Sequence, residues 1–199
     1  MNIKQEQEIA KEVMNKLEPF CTFVSCAGGA PRDWFDGNTC NDIDIYFVTP
    51  FTTLNKLKTM FDTFFPEYEL KGASISCEGI QEDLKEMYST MEHLQRVFTN
   101  EYKGKTVQLI QLKEKCDPLF EMDVCNCQIG WRPSGYYTTD DFKLGYLTNT
   151  LFPTREGSLS CGHFQKMVER FPDKAVVTRE RAQSMLLREL MLERGKNVW

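Results

Sequence analysis

The sequence predicts an α/β (α+β) fold in which helices flank a short mixed β-sheet, with a small C-terminal helical extension. Three observations lead to this prediction. Segments with helical apolar spacing alternate with short β-prone runs, two glycines join the first such run to a helix, and two later runs are apolar enough for buried strands. A chain of 199 residues with 41% hydrophobic residues can bury one core. We expect this core over residues 1–130 and an extension over residues 131–199, packed together as one compact unit.

The first half of the chain begins with a helix, because apolar residues recur at helical spacing over residues 9–17 before Pro19 ends the pattern. The run CTFVSCAGG predicts a strand that ends at its glycines. Pro31 then lies in the first turn of a short helix, where its missing N–H costs little. The second strand is predicted from Ile43 to Val48.

Two helices and two strands are predicted next. Apolar spacing indicates one helix from Leu54 to Phe64 and a longer one whose apolar stripe runs from Ile80 to Phe98. The runs TVQLIQL, residues 106–112, and FEMDVCNCQI, residues 120–129, are predicted as buried strands that pair with each other.

The last third has a weaker pattern, so residues 131–162 are predicted as loops with a hairpin through GYLTNTLF. A short helix is expected from His163 to Phe171. Thr178 is predicted to cap a final helix that carries Ala182, Leu186 and Leu190 on one face.

The overall charge argues against a strongly basic nucleic-acid surface, because 29 acidic residues outnumber 24 basic ones. A local basic patch would come from the C-terminal quarter. The polar N-terminus lacks the apolar centre of a signal peptide, and no stretch is long enough to span a bilayer, so we expect a cytoplasmic protein without membrane contact. In that compartment the eight cysteines are expected to be free thiols.

The motif AGGAPRDW, residues 27–34, has the composition of a phosphate-binding turn. Glycines between a strand and a helix let the backbone approach a bound group, and the first amides of the helix point at an anion. Arg32 adds a cation that can bridge two phosphate oxygens. Many folds also use two glycines before a helix merely as a tight turn, so this motif alone does not decide the function.

The following NDIDIYF sequence strengthens the argument, because residues two apart on a strand point to the same side. Asp42 and Asp44 then project together while Ile43 and Ile45 enter the core. Two adjacent carboxylates repel each other unless a cation joins them, and Mg²⁺ commonly binds one or two carboxylates together with substrate phosphates. The alternative is a solvated strand edge, which fits the strict apolar alternation less well.

A third carboxylate commonly completes a site for phosphoryl transfer. The candidates are Glu121 and Asp123, also two residues apart in the run FEMDVCNC. Asp123 is favoured because it lies deeper in the apolar run, where a charge is costly without a partner. Glu121 remains the alternative.

The order GG, RD and DxD in residues 28–47 resembles the signature of the DNA polymerase beta-like nucleotidyltransferase superfamily. It is most similar to the head domain of bacterial-type poly(A) polymerases and CCA-adding enzymes. The resemblance covers about a tenth of the chain. It implies the nucleotidyltransferase fold and a nucleoside triphosphate held at Gly28 and Gly29.

The same resemblance implies roles for further residues. Arg32 would contact phosphate, Asp33 would support Arg32, and Asp42 and Asp44 would bind Mg²⁺ or Mn²⁺. FEMDVCNC looks like the later strand that bears the third carboxylate, Asp123. The segment HFQKMVERF is similar to a basic helix of small phage-encoded members, which would turn Lys166 and Arg170 towards substrate. The chain departs from the family in having no clear arginine-arginine-aspartate motif and no neck or body domain, which puts CCA addition in doubt.

Zinc is a weaker prediction for this chain. Cys116, Cys125, Cys127, Cys161 and His163 supply enough ligand atoms, but zinc sites usually place two or more residues between paired ligands. Buried thiols explain these cysteines better.

The predicted reaction moves a nucleoside monophosphate from an NTP to a hydroxyl and releases pyrophosphate. An RNA 3′ end, including that of tRNA, is the expected acceptor. The acidic charge also suits a hydroxyl on a protein or small molecule. A catalytically silent nucleotide-binding module is the third hypothesis, which the intact DxD argues against.

Overall fold

A six-stranded mixed sheet forms the centre of the computed structural model, which describes residues 1–50, 93–113, 116–155 and 162–196. The strand order is β3-β4-β2-β1-β5-β6, in which β2 and β4 pair in parallel and the other neighbours pair antiparallel. The strands are β1 (Phe23–Ala27), β2 (Asp42–Val48), β3 (Leu94–Tyr102), β4 (Lys105–Leu112), β5 (Ile129–Arg132) and β6 (Gly135–Thr138). A separate parallel pair joins β7 (Thr150–Leu151) to β8 (Ala175–Val176).

Helices flank this sheet, which confirms the predicted α/β class with a C-terminal helix. They are α1 (Ile3–Leu17), α2 (Gly29–Phe35), α3 (Asp140–Leu147), α4 (Gly162–Arg170) and α5 (Arg179–Lys196). In the described ranges, no helix is long and apolar enough to cross a membrane. The six cysteines in those ranges are free thiols, as predicted.

The first helix, strand and turn follow the predicted pattern. Asn2 and Gln5 form a capping box at the start of α1, and the helix buries Ile9, Val13 and Leu17. Strand β1 ends at Gly28, whose φ of 84° lies in the left-handed region that glycine tolerates. The Gly28 N–H donates to the Ile129 carbonyl at 3.0 Å, so this turn is fixed to the start of β5.

The two faces of the sheet have different partners. Ile43, Ile45 and Phe47 are fully buried in a cluster that includes α1 and α2 residues. Strand alternation therefore directs Asp42 and Asp44 to the opposite face. That face carries a second buried cluster, whose members extend from Ala27 to Ala182 and so come from both sides of residue 130.

The predicted helix through Phe98 is wrong over residues 94–98, which belong to strand β3. Its remainder, residues 80–92, lies outside the described residues, as does the predicted helix from Leu54 to Phe64. The two-residue turn at Lys103 and Gly104, both with positive φ, joins β3 to β4 in the manner of a type I′ hairpin. Val97 and Phe98 then pack into the two opposite clusters.

The predicted strand over residues 120–129 is also wrong, together with its pairing to residues 106–112. The segment forms 3₁₀ turns at Pro118–Glu121 and Cys125–Cys127, and its regular strand starts only at Ile129. Strand β4 already has β3 and β2 on its two edges, so neither edge is open to a further strand. The backbone of Asp123 and Cys125 bonds instead to residues 152–154.

The hairpin predicted through GYLTNTLF lies elsewhere, at β5–β6. A side chain at Gly130 would collide with the ring of Tyr137, its partner on the neighbouring strand, so glycine leaves room for that ring. GYLTNTLF instead ends α3, where Asn149 adopts a left-handed φ of 51°, and then forms β7. Helix α4 confirms the helix predicted at residues 163–171, and Thr178 caps α5 by accepting from the Arg181 N–H at 3.2 Å.

Candidate functional site

Two partly buried carboxylates lie at the start of β2, where the chain emerges from the loop after α2. Asp42 pairs in register with Thr106 and Asp44 with Gln108 on the parallel neighbour β4. The Gln108 amide donates to Asp42 Oδ2 at 3.5 Å. Asp44 Oδ1 is a buried oxygen without a hydrogen-bond partner within the described ranges. The structure thus leaves a carboxylate oxygen beside a second carboxylate, and no donor in the described part of the chain satisfies it.

Ionisation of both carboxyls of this pair is unfavourable when no cation is bound. Burial raises the pKa of Asp44 well above its usual range, the neighbouring Asp42 raises it further, and the Arg32 guanidinium partly opposes both effects. Burial also raises the pKa of Asp42, and Asp33 adds to that shift. A cation between the two carboxylates would remove both penalties, because it favours the ionised forms.

Arg32 and Asp33 of the RD motif form a buried ion pair beside these carboxylates. Arg32 Nε and Nη2 both lie 2.9 Å from Asp33 Oδ1, and both side chains are 5% exposed. Arg32 Nη1 contacts the sulfur atoms of Cys127 and Met167, each at 3.2 Å. The predicted support of Arg32 by Asp33 is therefore present as a contact, while the guanidinium lies beneath α4 rather than at the surface.

One face of helix α4 lies over the RD motif, Arg32 and Asp33. Arg170 Nη2 donates to Asp33 Oδ2 at 2.8 Å, so one carboxylate joins Arg32 to Arg170. The Arg170 side chain is 39% exposed, in contrast to that of Arg32. Lys166 lies on the exposed side of the same helix. The sequence indicated the two basic residues but not the link through Asp33, since Asp33 and Arg170 are far apart in the chain.

The two candidates for the third carboxylate have different partners. Asp123 Oδ1 lies 2.8 Å from His163 Nδ1, and Asp123 Oδ2 is buried without a partner within the described ranges. Glu121 Oε2 lies 3.2 Å from Arg155 Nη1 and its Oε1 lies 3.8 Å from His93 Nε2. Glu121 is thus neutralised by its neighbours, whereas Asp123 keeps one oxygen available.

The fit of the site to a divalent cation depends on the Asp42–Asp44 pair. Over residues 1–50, 93–113, 116–155 and 162–196, no group of three or more His, Cys, Asp or Glu side chains is gathered as a metal site. Asp123 therefore does not form a group of three carboxylates with Asp42 and Asp44. Two carboxylates together with substrate phosphates nevertheless meet the usual needs of Mg²⁺. Of the weaker zinc candidates, Cys161 lies outside the described residues.

A buried network around Glu6 supports the start of β2 and was not found from the sequence. Glu6 Oε2 accepts from Trp34 Nε1 at 2.7 Å and from the Cys40 N–H at 3.1 Å, while Oε1 pairs with Lys105 Nζ at 2.7 Å. These contacts tie α1 to α2, to the loop before Asp42 and to β4. A charged residue among the apolar positions of α1 was the only available signal.

Among the solved structures that this chain resembles are two of CCA-adding enzymes and one of a tRNA-processing enzyme. A CCA-adding enzyme in complex with ATP aligns over 96% of this chain and 45% of its own, with a TM-score of 0.56 and 14% identity. A CCA-adding enzyme in complex with CTP aligns over 96% and 44%, with a TM-score of 0.52 and 16% identity. A tRNA-processing enzyme in its apo form aligns over 94% and 47%, with a TM-score of 0.53 and 12% identity.

These likenesses establish the fold, and they confirm the fold that the GG, RD and DxD motifs implied. No protein-family model and no curated protein matches the chain. The chain spans less than half the length of the CCA-adding enzymes that it matches.

Proposed function

We propose that this chain is a metal-dependent nucleotidyltransferase that moves a nucleoside monophosphate from an NTP to a hydroxyl acceptor and releases pyrophosphate. The observation that carries the proposal is the Asp42–Asp44 pair, whose buried Asp44 Oδ1 has no hydrogen-bond partner among the described residues, on a sheet that resembles that of CCA-adding enzymes. A buried pair of like charges destabilises the protein unless a ligand uses it.

The triphosphate would bind beside the turn at Gly28 and Gly29. A Cβ atom at Gly29 would lie 3.8 Å from Arg32 Nη2 and would meet no backbone, so packing within the protein does not require glycine there. Close approach of a phosphate to the backbone does explain it. The charges of Arg32 and Arg170, joined through Asp33, would stabilise the anion, and Lys166 would add a cation at the exposed side of α4.

The metal would be held by Asp42 and Asp44. Mg²⁺ or Mn²⁺ bound there would neutralise charge on the phosphates. The two carboxylates would hold the cation in a fixed position, because strand β2 is fixed between β1 and β4. Such preorganisation is worth more at a partly buried site than in open solvent.

Asp123 would accept the proton of the attacking hydroxyl. Its support is the Oδ2 atom, which has no hydrogen-bond partner in the described ranges, together with the His163 contact that fixes the other oxygen. Glu121 is the less suitable base because Arg155 and His93 both lie against its carboxylate.

The acceptor would be an RNA 3′ end, including that of tRNA. The likeness to CCA-adding and tRNA-processing enzymes supports this choice. The net charge of -5 favours a second candidate, a hydroxyl on a protein or small molecule, because an acidic surface repels RNA.

The test supplies each α-labelled NTP with Mg²⁺ or Mn²⁺, total RNA and a protein extract, and compares the wild type with Asp44→Asn. We expect wild-type protein to label a macromolecule or small product. The rate of labelling by the variant should be at least about a hundredfold lower. The variant keeps the size of the side chain, so a melting curve shows that its fold is intact. Equal labelling by the two proteins would refute the role of Asp44. RNase and protease digestion of the product then separates the two acceptor classes.

A further inference from the structure

A small cavity with both polar and apolar lining lies between the end of α2, which contributes Arg32 and Asp36, and helix α3. Its volume is about 20 Å³, enough for one water-sized group. Asn126, Asp36 and Lys174 supply its polar lining together with Arg32, and Tyr146 lines its apolar side. Arg32 lies one turn after Gly28 and Gly29 in helix α2, and its side chain lines the cavity. The cavity is therefore close to the proposed triphosphate site.

Asn126 presents an unused donor in this lining. The side chain is 8% exposed, and its Nδ2 is a buried nitrogen that has no partner among the described residues. Its Oδ1 accepts from the Cys127 thiol at 3.6 Å, which leaves Nδ2 as the amide atom still to be satisfied. A buried amide hydrogen without an acceptor is unfavourable, so a ligand that supplies an acceptor there binds more tightly.

The lining favours an oxygen acceptor over an amino group. Arg32 and Lys174 are donors without any acceptor capacity, and Asn126 adds a third donor. Asp36 is the one carboxylate of the lining and lies at the exposed rim. The buried donors of Arg32 and Asn126 form the floor of the cavity, and the exposed carboxylate of Asp36 lies at its rim. The cavity accommodates only a single small group.

Aromatic rings continue this site towards solvent. Tyr146 is 55% exposed, and its ring lies parallel to that of Phe142, with the centroids 6.2 Å apart. The edge of Phe35 packs against both rings. An exposed aromatic ring next to a polar cavity is suited to a stacked nucleobase whose edge enters the cavity.

We propose that this cavity selects the base of the incoming nucleotide, and that it prefers bases with an exocyclic carbonyl, as in UTP and GTP. The inference rests on the proposed function, since it names the substrate of the same site. The carbonyl oxygen accepts from Asn126 Nδ2, the ring N–H beside it donates to Asp36, and the base stacks on Tyr146. CTP and ATP carry an amino group in place of that carbonyl, which would face the donors of the cavity floor.

The test measures the dissociation constant of each NTP in the presence of Mg²⁺, and kcat/KM where transfer occurs. UTP is compared with CTP and GTP with ATP, because each pair has the same ring size. We expect the wild type to prefer the carbonyl base about tenfold, as one satisfied buried donor implies. Asn126→Leu should bring the ratio close to one, and Asn126→Asp should reverse it, because a carboxylate accepts from the amino group.

Two further variants separate base selection from general effects. Tyr146→Ala should weaken all four nucleotides by about tenfold and leave the ratios unchanged, since stacking tolerates every base. Gln165→Glu adds the same negative charge as Asn126→Asp at an exposed position of α4 and should leave the ratios unchanged.

The outcomes distinguish the two proposals. A wild type that binds CTP and ATP as well as UTP and GTP overturns the carbonyl preference, as does an unchanged ratio in a folded Asn126→Leu variant. In that case transfer of any nucleotide leaves the proposed function intact. A wild type that prefers UTP in binding but transfers nothing supports the cavity and refutes the transferase.

Discussion

Replacing Asp44 with asparagine should stabilise the metal-free protein while removing its response to Mg²⁺. Asp44 Oδ1 is buried without a partner in the described part of the chain, and Asp42 lies next to it. Asparagine carries no charge, so the substitution removes the cost of burying an ionised carboxylate and its repulsion by Asp42. The Arg32 charge offsets part of that cost, and we expect a gain of about 1–2 kcal/mol. In a protein of this size the melting temperature should rise by about 2–8 °C.

The assay is thermal unfolding followed by circular dichroism, with chelator and then with excess MgCl₂. Wild-type protein should gain about 1.4 kcal/mol when Mg²⁺ is present at ten times its dissociation constant, whereas Asp44→Asn should gain nothing. Asp140→Asn is the matched control, because its side chain is 92% exposed and its loss should change stability by less than about 0.5 kcal/mol. The reasoning is refuted by an Asp44→Asn variant that melts below the wild type in chelator, or that keeps the full response to Mg²⁺.

Three further predictions concern the turn, the support of the site and α4. Gly28→Ala should lower the melting temperature because Gly28 has a φ of 84°, whereas Gly29→Ala should keep it and weaken tripolyphosphate binding, as calorimetry would show. Glu6→Gln should cost about 3 kcal/mol in urea unfolding at pH 7, since Lys105 loses its buried partner. The pKa of Glu6 is lowered in the folded protein, so this cost should be complete above pH 4.5 and vanish as the pH falls through the folded value. Arg170→Ala should raise the KM for NTP about tenfold, and a steady-state titration that finds no change would contradict its proposed contact with phosphate.

Much of the fold was predictable because local chemistry and tertiary context agree. Helix α1 has both an apolar face and a capping box, and strand β2 alternates polar and apolar residues from Asp42 to Ile45. Strand β3 was missed because Leu94 and Phe98 are spaced as on a helix. The Lys103–Gly104 pair between two β-prone runs was the signal that would have corrected the assignment.

The segment around Asp123 could not be predicted from its own residues. Its apolar run is typical of a buried strand, but both edges of β4 are already occupied, which is a property of the whole sheet. The prediction of Asp42 and Asp44 on one face depended only on strand alternation, and it is confirmed by the burial of Ile43 and Ile45 on the other. Contacts such as Arg170 with Asp33 need the tertiary fold, since 137 residues separate them.

The measurement that tests the central claim most directly follows which phosphate of the nucleotide moves. Two reactions would be run with Mg²⁺ and acceptor. The NTP is labelled on its α-phosphate in one reaction and on its γ-phosphate in the other. The account predicts that the α-label joins the acceptor while the γ-label leaves in pyrophosphate, in equal amounts, and that Asp44→Asn does neither. Transfer of the γ-label to the acceptor, or its release as inorganic phosphate without any labelled product, would contradict nucleotidyl transfer at Asp42 and Asp44.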